Sequence, residues 1–426
     1  MKAGFRLNKN HEIRASYKNS QGRDIRFPAL PMDERKDNTQ LFSGTYRYNN
    51  PNTLLQTVEA KIYNSEVHHE MDNKWRPFSD TVVAISTIDA VNRGGRADFG
   101  FVRGNGNLHL GLDYEDISKD GQRVKNLIMQ PGLPVKTEDL WSNASIQNLG
   151  FFAEYRREQN IFLEWIFAAR LDMNKAGSDP MVLENMMGGE MYRNDTVDSD
   201  FVNASVSAGL SYEITSELTF DFALGRGVRN PDMVERFIIL LPVGYDNYDM
   251  KYECDRSGSF RMNGFYAWIT DFITGIKLPP SQVSPQSKGV LGVKQFRNID
   301  EAYMYGFEFV WISPARFNWG VNLSAAYTAG HNPEAVRYIY ENGQVTGQET
   351  VKNDPLPEIP PLEANLRVDY KFFGGRLVPE VHLRAVAAQK RISQAFDEDE
   401  TPGFTLLGLN LNYRVSNLLR LAGGVS

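Results

Sequence analysis

A histidine and a methionine two positions apart, His69 and Met71, are the side chains whose types and spacing best suit metal chemistry in this sequence. Imidazole nitrogen and thioether sulfur together suit soft ions such as Cu(I). A strand places every second side chain on one face, and the odd-numbered residues from Thr57 to Lys61 are polar. Extending that alternation puts His69 and Met71 together on the polar face and His68 on the other. Two ligands do not complete a site, so an ordinary histidine at the base of a loop, beside a packing methionine, is the alternative interpretation.

A second group of soft side chains lies in one predicted long loop, at Met181, Met186, Met187 and Met191. Flexible, polarisable thioethers suit the capture of soft metals. The sequence therefore offers an accessory metal-binding loop. The competing interpretation, which we favour, is a small apolar loop packed against its neighbours.

No arrangement of residues in the sequence predicts catalysis. Nothing resembles a nucleophile elbow or a metal-hydrolase helix, and Gly104–Asn107 is predicted to be a hairpin turn rather than a phosphate-binding loop. The formal charge of −7 argues against a nucleic-acid partner. We therefore expect neither an enzyme nor a nucleic-acid-binding protein, and no cofactor.

The clearest strand signal lies between Asp200 and Arg229. From Phe201 to Glu213 the even-numbered residues are apolar and the odd-numbered ones are mostly polar; after a short turn at Ile214–Ser216, the alternation resumes. Strict alternation indicates amphipathic β-strands. These strands exceed the usual length of about 5–6 residues and match the about 9–11 residues that a strand needs to cross a bilayer.

Short turns and long polar connections alternate along the sequence. Short turns are predicted at Asn8–Asn10, Asn49–Asn52, Gly104–Asn107, Arg157–Gln159, Ile214–Ser216, Asp255–Gly258, Ser313–Arg316, Phe373–Gly375 and Ser416–Asn417. The long connections span residues 19–37, 67–90, 117–142, 173–198, 230–246, 274–299, 329–360 and 389–403. This asymmetry is typical of outer-membrane barrels, which have short periplasmic turns and long extracellular loops. It predicts an all-β fold, a transmembrane antiparallel β-barrel with about 18 strands, from a partial strand at Ala3–Leu7 to a last one at Leu418–Ser426.

Composition agrees with a barrel rather than a helical membrane protein. Of the 426 residues, 42% are hydrophobic and 23% are charged, and the mean hydropathy is −0.42. No run approaches the about 20 apolar residues of a membrane helix. The strands of a barrel form no such run, because polar and apolar residues alternate along them. The one cysteine, Cys254, cannot form an internal disulfide. Because no secretory signal precedes the first strand, we expect a fragment of a longer protein.

Several segments, in this order along the chain, resemble TonB-dependent outer-membrane receptors. They are Gly150–Tyr155 with Ala169–Met173, Gly225–Asp232 with Glu235–Arg236, Asn298–Ala302 with Tyr305–Glu308, Thr401–Leu409 and Leu421–Val425. The resemblance implies a barrel of about 22 strands around an N-terminal plug. Residues 1–426 would then be one barrel domain, incomplete at both ends, with the plug outside this sequence. The family's Asn-Pro-x-Leu-Lys-Pro-Glu segment is not seen near Gly244–Glu253.

A narrower resemblance is to the TonB-dependent copper receptors. It rests on Phe27–Asp33 with Asp37–Thr39, on Val67–Asn73 and on Ile359–Glu363. It implies that His69 and Met71 bind copper together with a Cys-x-x-x-Met pair in the plug.

The sequence thus predicts a receptor of the bacterial outer membrane that takes up a scarce metal or metal chelate, with copper favoured. Its expected partners are membrane lipid, the metal or chelate, and the TonB complex acting through the plug. An iron–siderophore receptor of the same fold is the main competing hypothesis, supported by Arg337, Tyr338 and Tyr340 on one predicted loop. The sequence is also compatible with a passive porin-like barrel without TonB and with a soluble β-rich interaction protein.

Overall fold

The computed structural model describes residues 1–27, 32–128, 135–184, 189–195, 197–215, 218–237, 260–278, 293–313, 318–341, 344–416 and 419–425. The chain divides into two units, Met1–Asn247 and Tyr248–Ser426. Each unit is built on one large antiparallel sheet. The prediction of an all-β, antiparallel fold is confirmed.

The first unit contains a ten-stranded sheet in which neighbours along the chain are neighbours in the sheet. Its strands are β1 (Lys2–Asn8), β2 (His11–Ile25), β3 (Asp33–Asn49), β4 (Leu55–Asp72), β5 (Val82–Arg103), β6 (Gly106–Leu127), β7 (Lys136–Asn160), β8 (Leu163–Gly177), β11 (Ser199–Thr215) and β12 (Leu218–Arg226). Two short strands, β9 (Met181–Glu184) and β10 (Glu190–Asn194), form a separate pair between β8 and β11. A short helix, α1 (Met233–Phe237), follows β12.

The second unit contains an eight-stranded antiparallel sheet in which all strands but one follow chain order. Its strands are β13 (Phe260–Leu278), β14 (Val293–Ile312), β15 (Trp319–Glu341), β16 (Gln344–Pro355), β17 (Glu363–Tyr370), β18 (Leu377–Val386), β19 (Phe404–Arg414) and β20 (Arg420–Val425). β16 pairs with the C-terminal half of β15, and β17 pairs with its N-terminal half. No helix in the described part of the chain is long and apolar enough to span a membrane.

The hairpin between Asp200 and Arg229 forms as the alternation predicts. β11 pairs with β12 from Val206 opposite Arg226 to Thr215 opposite Leu218. Val202 and Val206 on β11 leave more than half of their surfaces exposed. An exposed apolar face that continues over several strands marks an interaction with lipid or protein rather than with water.

The opposite, polar face of the first sheet is held by charged side chains that satisfy one another. Arg170 on β8 donates hydrogen bonds to Asp113 on β6 at 2.8 and 2.9 Å, and to Asp172 at 2.6 and 2.8 Å. Asn148 on β7 donates to Asp172 at 2.8 Å. Charge-assisted, bidentate hydrogen bonds of this kind are the strong ones. The polar face is therefore a connected network across neighbouring strands.

Strands reach much farther than the sequence predicts, so several predicted loops are wrong in their bounds. β7 has 25 residues, and β5 and β6 have 22 residues each. Much of the predicted connections 67–90 and 117–142 is therefore strand, including His69 and Met71. Backbone hydrogen bonds between strands do not require apolar side chains, which is why the pairing continues where the alternation stops.

Helix α1 is the other departure, because it lies inside the predicted polar connection 230–246. The backbone N–H of Glu235 donates to Asp232 Oδ1 at 2.9 Å, and the N–H of Asp232 donates to the Glu235 carboxylate at 2.7 Å. This reciprocal pair is a capping box, which begins a helix. Met233 and Phe237 of α1 pack into a buried cluster with Leu140, Trp141, Ala144, Ile146 and Ala176.

The docking of α1 is expected to weaken in acid. Burial raises the pKa of Glu235, but hydrogen bonds from Arg229 at 2.7 and 2.8 Å and from the Asp232 backbone outweigh burial and hold the pKa below its ordinary value. Ionised Glu235 thus stabilises the docked helix above the ordinary pKa of about 4.3. That contribution is lost as the pH falls from there through the lower folded-state pKa.

The fluorine NMR signal of a fluorotryptophan at position 141 should report this change, since Trp141 packs in the same cluster as α1. The signal is expected to shift as the pH falls below about 4.3. In a Glu235→Gln variant the shift should disappear. A shift that survives in Glu235→Gln would assign the acid response to another group.

Candidate metal centre

Strand β4 carries the candidate metal ligands near its C-terminal end, between β3 and β5. His69 lies opposite Asp37 of β3 and Ile88 of β5. Met71 lies opposite Glu34 of β3 and Ser86 of β5. Because residues two apart in a strand share a face, His69 and Met71 project from the same side of the sheet.

One ring nitrogen of His69 is held by a carboxylate on the neighbouring strand. His69 Nδ1 lies 3.2 Å from Asp37 Oδ2. The other oxygen of that carboxylate, Oδ1, accepts a hydrogen bond from Thr39 Oγ1 at 2.9 Å. A carboxylate only accepts hydrogen bonds, so in the neutral ring this contact favours the tautomer with the proton on Nδ1 and the lone pair on Nε2. About a quarter of the His69 side chain is exposed, which leaves the ring partly accessible.

A second methionine, Met32, lies beside Ser86, the residue opposite Met71 on β5. Ser86, opposite Met71, donates its hydroxyl to the Met32 sulfur at 3.7 Å and accepts a hydrogen bond from Arg123 Nε at 3.0 Å. Met32 is buried. Sequence reasoning did not single out Met32 as a candidate, because it precedes β3 and its approach to β5 depends on the folded register.

His68 occupies the opposite face of β4, as the alternation predicts. Its Nδ1 lies 2.6 Å from Asp89 Oδ1 on β5. The strand therefore carries two histidine–aspartate pairs on opposite faces. The His69–Asp37 pair shares its face of β4 with Met71, and the His68–Asp89 pair lies on the other face.

The predicted methionine loop is partly strand. Met181 begins β9 and is buried, and Met191 lies on β10, the partner of β9. Met186 and Met187 lie outside the described residues. The structure thus places Met181 and Met191 on the two paired strands of one small sheet. Their role in metal capture stays a prediction.

Among the residues that the structure describes, no three or more His, Cys, Asp and Glu side chains converge on a metal-binding point. A metal bound by His69 and Met71 would therefore need further ligands to complete its coordination shell. Cu(I) accepts such thioether and imidazole ligands, and further ligands would have to approach from the polar side of β4.

The second unit contains a separate cavity of about 720 Å³. Its walls come from β13, β14, β15, β16 and the segment after β18, and they include Thr274, Arg297, Glu301, Glu334, Tyr338 and Phe396. Asp354 fixes one wall: its carboxylate accepts hydrogen bonds from Ser393 Oγ at 2.5 Å and from the backbone N–H of Gln394 at 2.8 Å. A cavity of this size falls in the range of small-molecule sites, about 300–1,000 Å³.

The predicted loop bearing Arg337, Tyr338 and Tyr340 is also a strand, because all three residues lie in β15. The Arg337 guanidinium lies 3.3 Å from a Glu349 carboxylate oxygen and 4.0 Å from Asp397. This cation therefore already faces two carboxylates.

Solved structures share this fold. The structure titled "Copper transporter OprC" aligns with a TM-score of 0.77 at 20% identity, over 99% of this chain and 64% of that one. The siderophore receptor PiuA from Acinetobacter baumannii aligns with a TM-score of 0.64 at 10% identity, over 98% of this chain and 67% of that one. The Serratia marcescens hemophore receptor HasR, in complex with its hemophore HasA and heme, aligns with a TM-score of 0.67 at 15% identity, over 100% and 67%. This chain thus spans about two thirds of the length of these proteins. No curated sequence matches the chain.

A sequence model of one family, described as "TonB dependent receptor-like, beta-barrel", matches residues 3–426. Proteins of this family are receptors and transporters of the outer membrane of Gram-negative bacteria rather than enzymes. The match covers almost the whole chain, and the antiparallel sheets with consecutive strand order agree with it. The chain therefore belongs to the TonB-dependent receptor β-barrel family.

Proposed function

We propose that this chain is the barrel part of an outer-membrane receptor that takes up copper, bound as Cu(I). The observation that carries the proposal is the His69–Met71 pair, in which both side chains project from one face of β4 and Asp37 leaves Nε2 of His69 free to bind a metal. Imidazole and thioether are the ligands that suit Cu(I) among biological metals. A copper transporter is among the solved structures that share this fold, and so are a siderophore receptor and a hemophore receptor.

The rest of the proposal follows from the family. The exposed apolar faces of strands such as β11 and β12 would contact membrane lipid, and the polar face would enclose a plug supplied elsewhere in the full-length protein. The TonB complex would act through that plug. Ligands from the plug, expected as a Cys-x-x-x-Met pair, would complete the shell that His69 and Met71 begin.

A receptor for a ferric siderophore is the second candidate, and the cavity of about 720 Å³ in the second unit favours it. A cavity of that size suits a metal chelate better than a bare ion. Two observations weigh against it. The cavity wall carries Glu301 and Glu334 beside Arg297, and Arg337, which supports the siderophore hypothesis in the sequence, faces Glu349 and Asp397. These carboxylates repel an anionic chelate.

Anaerobic titration of the detergent-solubilised full-length protein separates the two candidates. Cu(I), in competition with a chromophoric Cu(I) chelator, is expected to bind at one equivalent per protein. A ferric siderophore, followed by quenching of tryptophan fluorescence, is expected not to bind. Saturable binding of the ferric chelate without binding of Cu(I) would replace the proposal with the second candidate.

A further inference from the structure

The carboxylate of Asp37 is placed where a metal-binding histidine needs a partner. Asp37 Oδ2 lies 3.2 Å from His69 Nδ1, and the two residues lie directly opposite each other on β3 and β4. Histidines that bind metals almost always donate their second ring N–H to a carboxylate, a carbonyl or water. Such a bond fixes the tautomer and the orientation of the ring and makes the free nitrogen a better ligand.

Asp37 is itself held in place. Its second oxygen accepts the Thr39 hydroxyl at 2.9 Å, and both Asp37 and His69 keep only about a quarter of their side chains exposed. A carboxylate fixed at one oxygen presents the other in a defined direction. The orientation of the His69 ring is therefore built into the pairing of β3 with β4 before any metal arrives.

We propose that Asp37 is a positioning residue for metal binding: it holds His69 in the Nδ1–H tautomer so that Nε2 is presented to the metal. The inference rests on the proposed function, because it assigns to Asp37 the support of a ligand in that same site. Asp37 makes no bond to the metal. It acts on the metal only through the imidazole.

The same strand supplies a matched control. His68 pairs with Asp89 at 2.6 Å on the other face of β4, so the two pairs have the same chemistry and neighbouring positions in the sheet. Loss of Asp89 removes a histidine–aspartate pair without touching the face that carries Met71. Any effect of Asp37→Ala that Asp89→Ala shares would be a general effect on β4.

The test uses the full-length protein in three forms: wild type, Asp37→Ala and Asp89→Ala. Competition titration should show that Asp37→Ala weakens Cu(I) binding by about 10- to 100-fold, the usual cost of losing such a partner. Asp89→Ala should bind Cu(I) as the wild type does. Asp37→Asn, whose amide oxygen still accepts a hydrogen bond, should recover part of the loss.

A second readout needs no metal. Nitrogen-15 NMR of labelled histidines in the copper-free protein should show His69, identified by its absence in His69→Ala, with a protonated Nδ1 and a bare Nε2. In Asp37→Ala that fixed tautomer should give way to a mixture, while in Asp89→Ala it should stay. A purely structural role for Asp37 would leave the His69 tautomer unchanged.

Three results would overturn the inference: an unchanged Cu(I) affinity in Asp37→Ala, an unchanged His69 tautomer in that variant, or an equal loss of affinity in Asp89→Ala. The proposed function fails differently. It fails if the wild type does not bind Cu(I) or if loss of His69 and Met71 leaves the Cu(I) affinity unchanged. Both of these tests keep Asp37, so they are independent of the inference about Asp37.

Discussion

Replacing His69 and Met71 together by alanine is expected to weaken Cu(I) binding by the full-length protein more than about 100-fold. Losing only the hydrogen-bond partner of a metal ligand costs roughly 10- to 100-fold, and losing the ligands themselves should cost more. The physical reason is that the barrel would then offer the metal neither an imidazole nor a thioether at this position. Both side chains are partly exposed in β4, so their truncation should leave the sheet intact. Anaerobic competition titration measures the affinity, and circular dichroism melting checks the fold.

A double variant of the same composition serves as the control. His68→Ala with Met173→Ala also removes one histidine and one methionine, but His68 lies on the other face of β4 and Met173 is an exposed residue of β8. This control should bind Cu(I) with wild-type affinity. Equal losses in the two double variants would mean that the effect does not come from the candidate site.

Phe237→Ala is expected to release helix α1 from the first sheet. Phe237 is 3% exposed and packs in the cluster with Leu140 and Trp141. Truncating a buried phenylalanine to alanine costs about 3–5 kcal/mol, from lost burial and the cavity left behind. For a five-residue helix, which has little intrinsic stability, a loss of that size should exceed the free energy of docking.

Hydrogen exchange followed by mass spectrometry should show loss of protection at residues 231–237 in Phe237→Ala, with β7 and β8 still protected. Phe237→Leu keeps a branched apolar side chain in the cluster and leaves a smaller cavity than alanine, so it should cost less than Phe237→Ala. It should therefore keep most of the protection. Wild-type exchange at residues 231–237 in the alanine variant would contradict the view that this cluster holds α1.

Much of the fold could be predicted because alternation is a local property. The pattern from Phe201 to Glu213 fixes which side chains share a face, and β11 (Ser199–Thr215) follows it closely. The capping box of α1 was equally local: Asp232 and Glu235, three residues apart, are a helix-start signal. The polar composition of residues 230–246 alone predicts a connection without a helix, whereas this local signal predicts the helix start.

The ends of the strands could not be predicted from side chains. β3 and β4 pair through segments with no apolar alternation, such as Asp37–Thr39 opposite Val67–His69. Backbone hydrogen bonds hold these ends together, and the sequence pattern does not record them. For that reason the first 11 residues of the predicted connection 117–142 belong to β6, and the first 13 residues of the predicted connection 329–360 belong to β15.

The site was predictable in part for the same reason. His69 and Met71 are two apart on one strand, so their shared face follows from parity. Asp37 is 32 positions from His69, and its pairing depends on the register of β3, which shifts by a bulge between Glu34 and Lys36. A one-residue change in register moves every side chain to the other face. Only the folded sheet could bring Asp37, rather than its neighbours, to the imidazole.

The most direct measurement of the central claim is copper K-edge X-ray absorption of the Cu(I)-loaded full-length protein, compared with His69→Ala and Met71→Ala as separate variants. The wild-type spectrum should contain an imidazole nitrogen and sulfur in the first coordination shell. His69→Ala should lose the imidazole signal, and Met71→Ala should lose one sulfur. Spectra identical to wild type in both variants would show that β4 does not bind the copper and would contradict the proposed site.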